Sequence, residues 1–360
     1  MSSRTRKCSS PGCARSICGR PVRSGLRLRQ RDTGLHADEP AAPALNAISD
    51  YGIAEGEAPS AGPGQVQIKV AACGIGYVDV LVALGGYQVK PTLPHTPGQE
   101  ITGTVSAIGS GVTGLAVGDR VLAAAQGGFA EYAVAPRDSV FRIPDSLAFA
   151  AAASLRLNCL TALHGLRDRA NLQKGERLVV LGAAGGVGIA AVQIGKLLGA
   201  EVIAVASTEE KRAFAGRAGA DRVLDSTVEG WRERLREACN GGGPDVIFDP
   251  LCGPLFEPAF RSLAWRGRHL VVGFVGGEIP RLRVNLPLMK GAALAGVDVR
   301  QFALFERERA DAYVEELIAW AGEGRLAPIA GRRFAFSDFA EAMAHAQSGR
   351  GMGKTILEIA

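Results

Sequence analysis

The sequence predicts an α/β protein built around a doubly wound parallel sheet, with a smaller β-rich unit ahead of it. Three observations carry this. From about Leu178 onward, strands that are apolar throughout, such as "RLVVLG" and "EVIAVAS", alternate with helical stretches. Such strands are buried on both faces, the condition of a parallel sheet covered by helices. Before that point, from about Gln65, short strands separated by Gly-rich turns follow at the spacing of a compact β unit. Between the first apolar strand and its helix lies the Gly-rich turn "LGAAGGVGI", where doubly wound folds bind dinucleotides.

Composition agrees. Of 360 residues, 47% are apolar and 21% charged, which suits two domains of about 150 residues each and neither a disordered chain nor a coiled coil. No apolar run reaches the roughly 18 residues of a membrane-spanning helix, so no membrane partner is expected. The formal net charge of +5 comes from the N-terminus: residues 1–31 hold nine Lys and Arg and no acid, leaving 32 basic against 36 acidic residues. This mildly acidic body lacks the basic stripe that grips nucleic acid. Seven unevenly spaced cysteines do not make a disulfide framework, and a reducing, cytoplasmic setting is expected.

Residues 1–44 are rich in Arg, Ser, Pro and Ala without a clear hydrophobic period. They are expected to be a disordered or dispensable extension. Three readings stay open: a targeting peptide, which would make the protein mitochondrial; a regulatory or nucleic-acid-binding tail; or upstream sequence that adds nothing to the fold. Cys8, Cys13 and Cys18 are spaced more widely than zinc-knuckle pairs.

In the β-rich unit "QVQIKVAAC", "ITGTVSAIG", "DRVLAAA" and "GGFAEYAVA" read as strands, and Pro144–Asp145 as a loop before the Ala-rich helix "LAFAAAASL". In the second unit, helix "GVGIAAVQIGKLLGA" and strand "EVIAVAS" precede a helix ending at Gly219. Strand "RVL", a helix near 228–239, strand "DVIFD", a helix near 254–263 and strand "GRHLVVGF" follow. The tail holds the amphipathic helix "ERERADAYVEELIAWAGEGRL", a helix with Ser337 as N-cap, and the closing strand "GKTILEIA".

The turn follows G-x-G-x-x-G with Ala183 in the first place and Gly185 and Gly188 in the others. Gly185 and Gly186 let backbone N–H groups along Ala184, Gly185, Gly186 and Val187 approach a pyrophosphate at the positive helix end. Gly188 permits tight helix–strand packing. The end of the next strand selects the cofactor. NAD sites place an acid there for the ribose hydroxyls. Here Ala206 and Ser207 are followed by Lys211 and Arg212, a set that suits a 2′-phosphate, so NADPH is the expected cofactor. Glu209 and Glu210 read as first-turn acids of a helix.

The stretches "AACGIGYVDVLVALGGYQVKPTLPHTPGQEITGTV", "GSGVTGLAVGDRV", "GGFAEYAV", "LGAAGGVG", "RSLAWRGRHLVVGFVGGEIP" and "GKTILEIA" occur in order along the body of the chain. Together they resemble the zinc-free quinone oxidoreductase branch of the medium-chain dehydrogenase/reductase superfamily. The resemblance implies a Rossmann-type domain over 158–297 inserted into a GroES-like catalytic domain formed by 45–157 with 298–360. It also implies NADPH, hydride transfer and a homodimer. Zinc relatives need a Cys, a His in a G-H-E stretch and a third ligand. Cys73 stands for the first, but the G-H-E place reads Gly98, Gln99, Glu100. An amide oxygen is a poor zinc ligand, so no metal is expected. Without zinc to stabilise an alkoxide, quinones and α,β-unsaturated carbonyls, which delocalise incoming charge, are the expected acceptors.

Carried over residue by residue, the resemblance makes Tyr87 of "GGYQ" a catalytic candidate, donating a hydrogen bond to the nicotinamide carboxamide or the substrate oxygen. Asp79 matches an acid near the cleft, and equally caps the helix it begins. Thr161 at the domain junction, Ser226 on the adenosine side, Gly273 and Phe274 at a strand end, and Lys354 in the terminal "GKT" are cofactor-binding candidates. Gly76 departs from the family pattern, which commonly has Asn there, and Ser226 stands where many relatives carry Tyr or His. His95, His164, His269 and His345 show no ligand spacing and read as structural. The leading function is an NADPH-dependent reductase of a quinone or enone. An enoyl-thioester reductase is the near alternative. A non-catalytic NADPH-binding protein whose tail binds nucleic acid is the alternative of another class.

Overall fold

The computed structural model describes residues 25–30, 47–87, 91 and 95–359; Cys8, Cys13, Cys18, His36 and the remainder of the N-terminal extension lie outside them. Along the chain, β1 (Gly25–Gln30) pairs antiparallel with β2 (Tyr51–Gly56), a strand that the sequence reading did not expect in the extension. The β-rich unit continues with β3 (Gln65–Ile75), α1 (Tyr77–Ala83), β4 (Glu100–Ile108), β5 (Arg120–Ala124), β6 (Tyr132–Pro136) and β7 (Val140–Arg142). Short α2 (Phe149–Ala152) and α3 (Arg156–Leu163) lead into β8 (Arg177–Leu181), α4 (Gly186–Leu197), β9 (Glu201–Ala206), α5 (Glu209–Arg217) and β10 (Arg222–Asp225). Then come α6 (Trp231–Ala238), β11 (Val246–Asp249), α7 (Phe256–Ser262), β12 (Arg268–Val271), α8 (Asn285–Lys290) and β13 (Ala293–Gly296). The tail holds α9 (Val299–Phe305), α10 (Arg307–Gly322), β14 (Ala330–Ala335), α11 (Phe339–Gln347) and β15 (Lys354–Glu358).

β8 to β13 form one six-stranded sheet in the order β10-β9-β8-β11-β12-β13, parallel throughout. Its central strands lack alternation because both faces are covered: Leu178 to Leu181, Val202 to Val205 and Val246 to Phe248 are all buried. The winding reverses between β8 and β11. There the connections leave in opposite directions and open a crevice at the carboxyl ends of the strands, where ligands bind in such sheets.

The other sheet runs β14-β15-β3-β4-β5-β7, with β6 also on β3. β15 pairs antiparallel with β3, Leu357 opposite Cys73, so the C-terminal strand returns to the first unit. Phe334, Phe339 and Met343 share a core with Ile68, Ile101 and Phe129. α10 packs on α3, which packs on α4, and Val314, Leu317 and Trp320 join Leu160, Leu163 and Val192 in the larger core. One local expectation fails. Ser337 does not cap α11, because Phe336–Asp338 first forms a 3-10 turn; Asp338 takes the N-cap place and Ser337 Oγ donates to its carboxylate.

Candidate functional site

The turn after β8 is shaped by what each glycine touches. Gly182 has φ +60° and makes the left-handed bend, one residue before the place given to the motif's first glycine. Ala183 N–H donates to Val205 O at 3.1 Å and Gly185 N–H to Gly182 O at 3.0 Å. A Cβ on Gly188 would lie 2.2 Å from Gly182 O, and one on Gly186 would lie 2.6 Å from Asn158 Nδ2. At Gly185 a Cβ would meet only Gly182 O, at 3.5 Å, an ordinary contact. Gly188 is therefore held bare by backbone, Gly186 crowds only the tip of the Asn158 side chain, and Gly185 faces open space. The first N–H groups of α4 have no acceptor within the helix, and its positive end lies at the sheet's winding reversal.

Beyond β9, Ser207 is exposed and Thr208 caps α5, accepting the Lys211 N–H at 3.2 Å. The Lys211 ammonium has no hydrogen bond or ion pair among the described residues. Arg212 is committed: Nη1 donates to Asp225 Oδ2 at 2.5 Å and to Ala206 O at 3.3 Å. Hydrogen bonds from Thr227, with Arg212 beside it, hold the Asp225 carboxyl below its usual range. Asp225, next to Ser226, was missed by sequence reasoning; its signal is an acid closing the strand "RVLD".

The ends of β11 and β12 carry a buried pair. Asp249 Oδ1 accepts from Leu251 N–H at 2.9 Å and Cys252 N–H at 2.8 Å, and Oδ2 lies 3.0 Å from His269 Nε2. Neither side chain touches solvent. The loop they hold sits between the dinucleotide turn and the end of β12. Leu251 packs against Gly182, Gly276 N–H donates to Leu251 O at 2.8 Å, and a Cβ on Gly273 would lie 2.9 Å from Pro250 O. Phe274 beyond it is exposed. His269 was read as structural from its spacing; Asp249, which locks it, carried no sequence signal.

At the junction of the two units, Thr161 is buried and its hydroxyl donates to Leu157 O at 2.6 Å. Gly353 N–H donates to Ala184 O at 2.8 Å and ties the start of β15 to the turn. The next side chain turns away: Lys354 Nζ lies 3.3 Å from Glu100 Oε2, both residues only 3% exposed. Glu100 Oε1 accepts the Leu157 N–H at 2.9 Å. Asp79 is buried, and its Oδ2 accepts the Gly76 N–H at 2.7 Å across the first turn of α1. Burial raises the Asp79 carboxyl above its usual range, against the pull of Lys354 and the Gly76 N–H. Tyr87 is half-buried in the loop after α1; residues 88–90 lie outside the described residues.

The family profile described as "Zinc-binding dehydrogenase" matches residues 186–319, and "Alcohol dehydrogenase GroES-like domain" matches residues 62–145. Quinone oxidoreductase from Homo sapiens is 32% identical over 298 residues, 81% of this chain and 88% of that protein. The chain belongs to the quinone oxidoreductase group of medium-chain dehydrogenases/reductases. Quinone oxidoreductase-like protein 2 homolog from Nematostella vectensis is 40% identical over 66% of this chain and 65% of that protein, slightly under two thirds of its length. Among solved structures, a mycobacterial protein complexed with NADPH has a TM-score of 0.80 at 28% identity, covering 88% of this chain and 98% of that one. CurK enoyl reductase has a TM-score of 0.80 at 25% identity, covering 93% of this chain and 99% of that one.

The first family description implies zinc, and the donor set present here does not fit it. The Cys73 thiol lies in the core, 3.4 Å from the place of a Cβ on Gly128, and burial pushes it well above its ordinary pKa. Gln99 is exposed and offers an amide. No three His, Cys, Asp or Glu among the described residues come together as a metal-holding group. The residues do fit a dinucleotide, through the open face of Gly185 and the unpaired Lys211.

Proposed function

We propose that this oxidoreductase is an NADPH-dependent, zinc-independent reductase that delivers hydride to a quinone or an α,β-unsaturated carbonyl. The observation that carries the reading is the bare-backbone turn at the winding reversal, with Lys211 unpaired where a 2′-phosphate would arrive. In this reading Ala184, Gly185, Gly186 and Val187 hold the pyrophosphate. Ser207 and Lys211, with Arg212 beside Asp225, hold the 2′-phosphate, and Ser226 lies along the adenosine. Thr161, Gly273 and Phe274 flank the nicotinamide, and Tyr87 and Asp79 belong to the acceptor side. NADPH supplies the hydride; the chain's part is positioning and charge.

The proposed catalytic domain is 45–157 with 298–360, and the proposed dinucleotide domain is 158–297. Supporting a homodimer, exposed Leu288 and Met289 closely precede β13, the open edge of the parallel sheet, and exposed Trp265 packs over Gly291 just before it. Cys73, Cys159, Cys239 and Cys252 are free buried thiols, which suits a cytoplasmic setting, and no described helix is long and apolar enough to cross a membrane. A second reading, reduction of an enoyl thioester, is favoured by the likeness to CurK enoyl reductase. Oxidation of NADPH and NADH against quinones, enones and enoyl thioesters, with and without chelator, tests the proposal. Turnover that prefers NADPH and ignores chelator supports it; NADH preference or chelator-sensitive turnover refutes it. Light scattering of the purified protein tests the dimer.

A further inference from the structure

Three buried polar atoms converge near one glycine. Lys354 Nζ, Glu100 Oε2 and Asp79 Oδ1 have no hydrogen-bond partner among the described residues. A Cβ on Gly76 would lie 3.3 Å from Lys354 Nζ, 3.2 Å from Asp79 Oδ2 and 3.8 Å from Leu157 Cδ2. The Lys354 stem is admitted by a second glycine, since a Cβ on Gly74 would lie 2.9 Å from its Cε. Lys354 is thus aimed past Gly74 at the space over Gly76, while its own backbone neighbour is tied to the dinucleotide turn. Gly76 and Leu157, beside this group, are both only partly buried.

A buried ammonium with unused N–H groups is costly unless a ligand completes it. The groups facing it are Glu100 from β4, Asp79 from α1, Cys73 from β3 and Cys159 from α3. Glu100 already balances its charge, so the missing partner is a neutral hydrogen-bond acceptor rather than a second carboxylate. A carbonyl oxygen that becomes negative during reduction matches, because a fixed cation stabilises that charge most where it develops.

We propose that Lys354 binds the carbonyl oxygen of the acceptor over the bare Gly76 and gives it the proton that completes reduction. This rests on the reductase reading above and moves Lys354 from the cofactor to the acceptor. A bound reduced nicotinamide would supply hydride to the acceptor's electrophilic atom, and the displaced π pair would then move to the oxygen. The oxygen takes a proton from Nζ; that N–H bond breaks and an O–H bond forms. The neutral amine recovers a proton from water once the product has left.

The test uses the full chain with NADPH and 1,4-naphthoquinone. Lys354→Met lowers kcat by about 100-fold and leaves the NADPH Kd, read by nucleotide fluorescence, within about threefold of the parent. If the single variant fails to fold, Lys354→Met with Glu100→Gln, which leaves no buried unpaired charge, shows the same loss. Gly76→Val fills the approach and raises the quinone KM about tenfold, again with NADPH affinity kept. Turnover of either Lys354 variant within threefold of the parent, or a weakening of NADPH that accounts for the loss, overturns the assignment. An active parent with an insensitive Lys354 variant refutes this inference alone; a parent that neither binds NADPH nor turns over refutes the reductase reading beneath it.

Discussion

Replacing two glycines of one turn by alanine separates folding from binding. At Gly188 the new methyl would lie 2.2 Å from Gly182 O, about 1 Å inside ordinary contact, and the obstacle is backbone. Gly182 is already in the left-handed region at φ +60°, so relief must come from shifting α4 off the sheet. Overpacking of this kind costs about 3 kcal/mol, roughly 6 °C in Tm for a chain of this size. At Gly185 the methyl meets Gly182 O at 3.5 Å and nothing else, and the backbone, φ −73° and ψ 169°, suits any residue. The small loss of capping preference offsets the reduced unfolded-state entropy, so Tm stays within about 1 °C. Yet that methyl stands where phosphate oxygens approach the N–H groups. Loss of one charge-assisted hydrogen bond, about 2 kcal/mol, weakens NADPH about 30-fold. Differential scanning fluorimetry and fluorescence titration read the two effects on the same samples. Gly185→Ala binding NADPH like the parent, or both variants losing Tm equally, would refute the placement of the dinucleotide.

Lys211→Ala weakens NADPH by about 2 kcal/mol, the Coulomb energy of one ammonium about 4 Å from a doubly charged phosphate in a watery setting; NADH KM is unchanged, and added salt narrows the gap. Arg212→Ala frees Asp225 from its 2.5 Å partner and lowers affinity for NADPH more than for NADH, by steady-state comparison, because the bared carboxylate repels the 2′-phosphate. His269→Phe leaves Asp249 Oδ2 without its donor in a fully buried place and costs about 3 kcal/mol in urea unfolding, with a raised NADPH KM because the Leu251 loop loosens. For Asp79, burial raises the native carboxyl above its unfolded value. A raised acid holds its proton more tightly when folded, so its contribution is full below the unfolded pKa and lost as pH rises through the folded one. Asp79→Asn keeps an oxygen for the Gly76 N–H, and its urea midpoint falls less than the parent's as pH rises above about pH 4.

The sequence by itself determined the parallel sheet, because strands buried on both faces must be apolar at every position, as Leu178 to Leu181 and Val202 to Val205 are. It also determined the dinucleotide turn, since glycine is required wherever backbone is approached closely. It named Lys211 and Arg212 together, for charge is visible in a string of letters. It did not tell the free cation from the paired one: Asp225, which claims Arg212, arrives on a neighbouring strand. Tertiary structure alone decided that β15 lies against β3, a pairing that spans most of the chain and leaves no local periodicity. Only that pairing brings Lys354 to Glu100, Asp79 and the bare Gly76. Ionic and hydrogen-bonding partners depend on separation in space, whereas local patterning reports only which face of an element is buried.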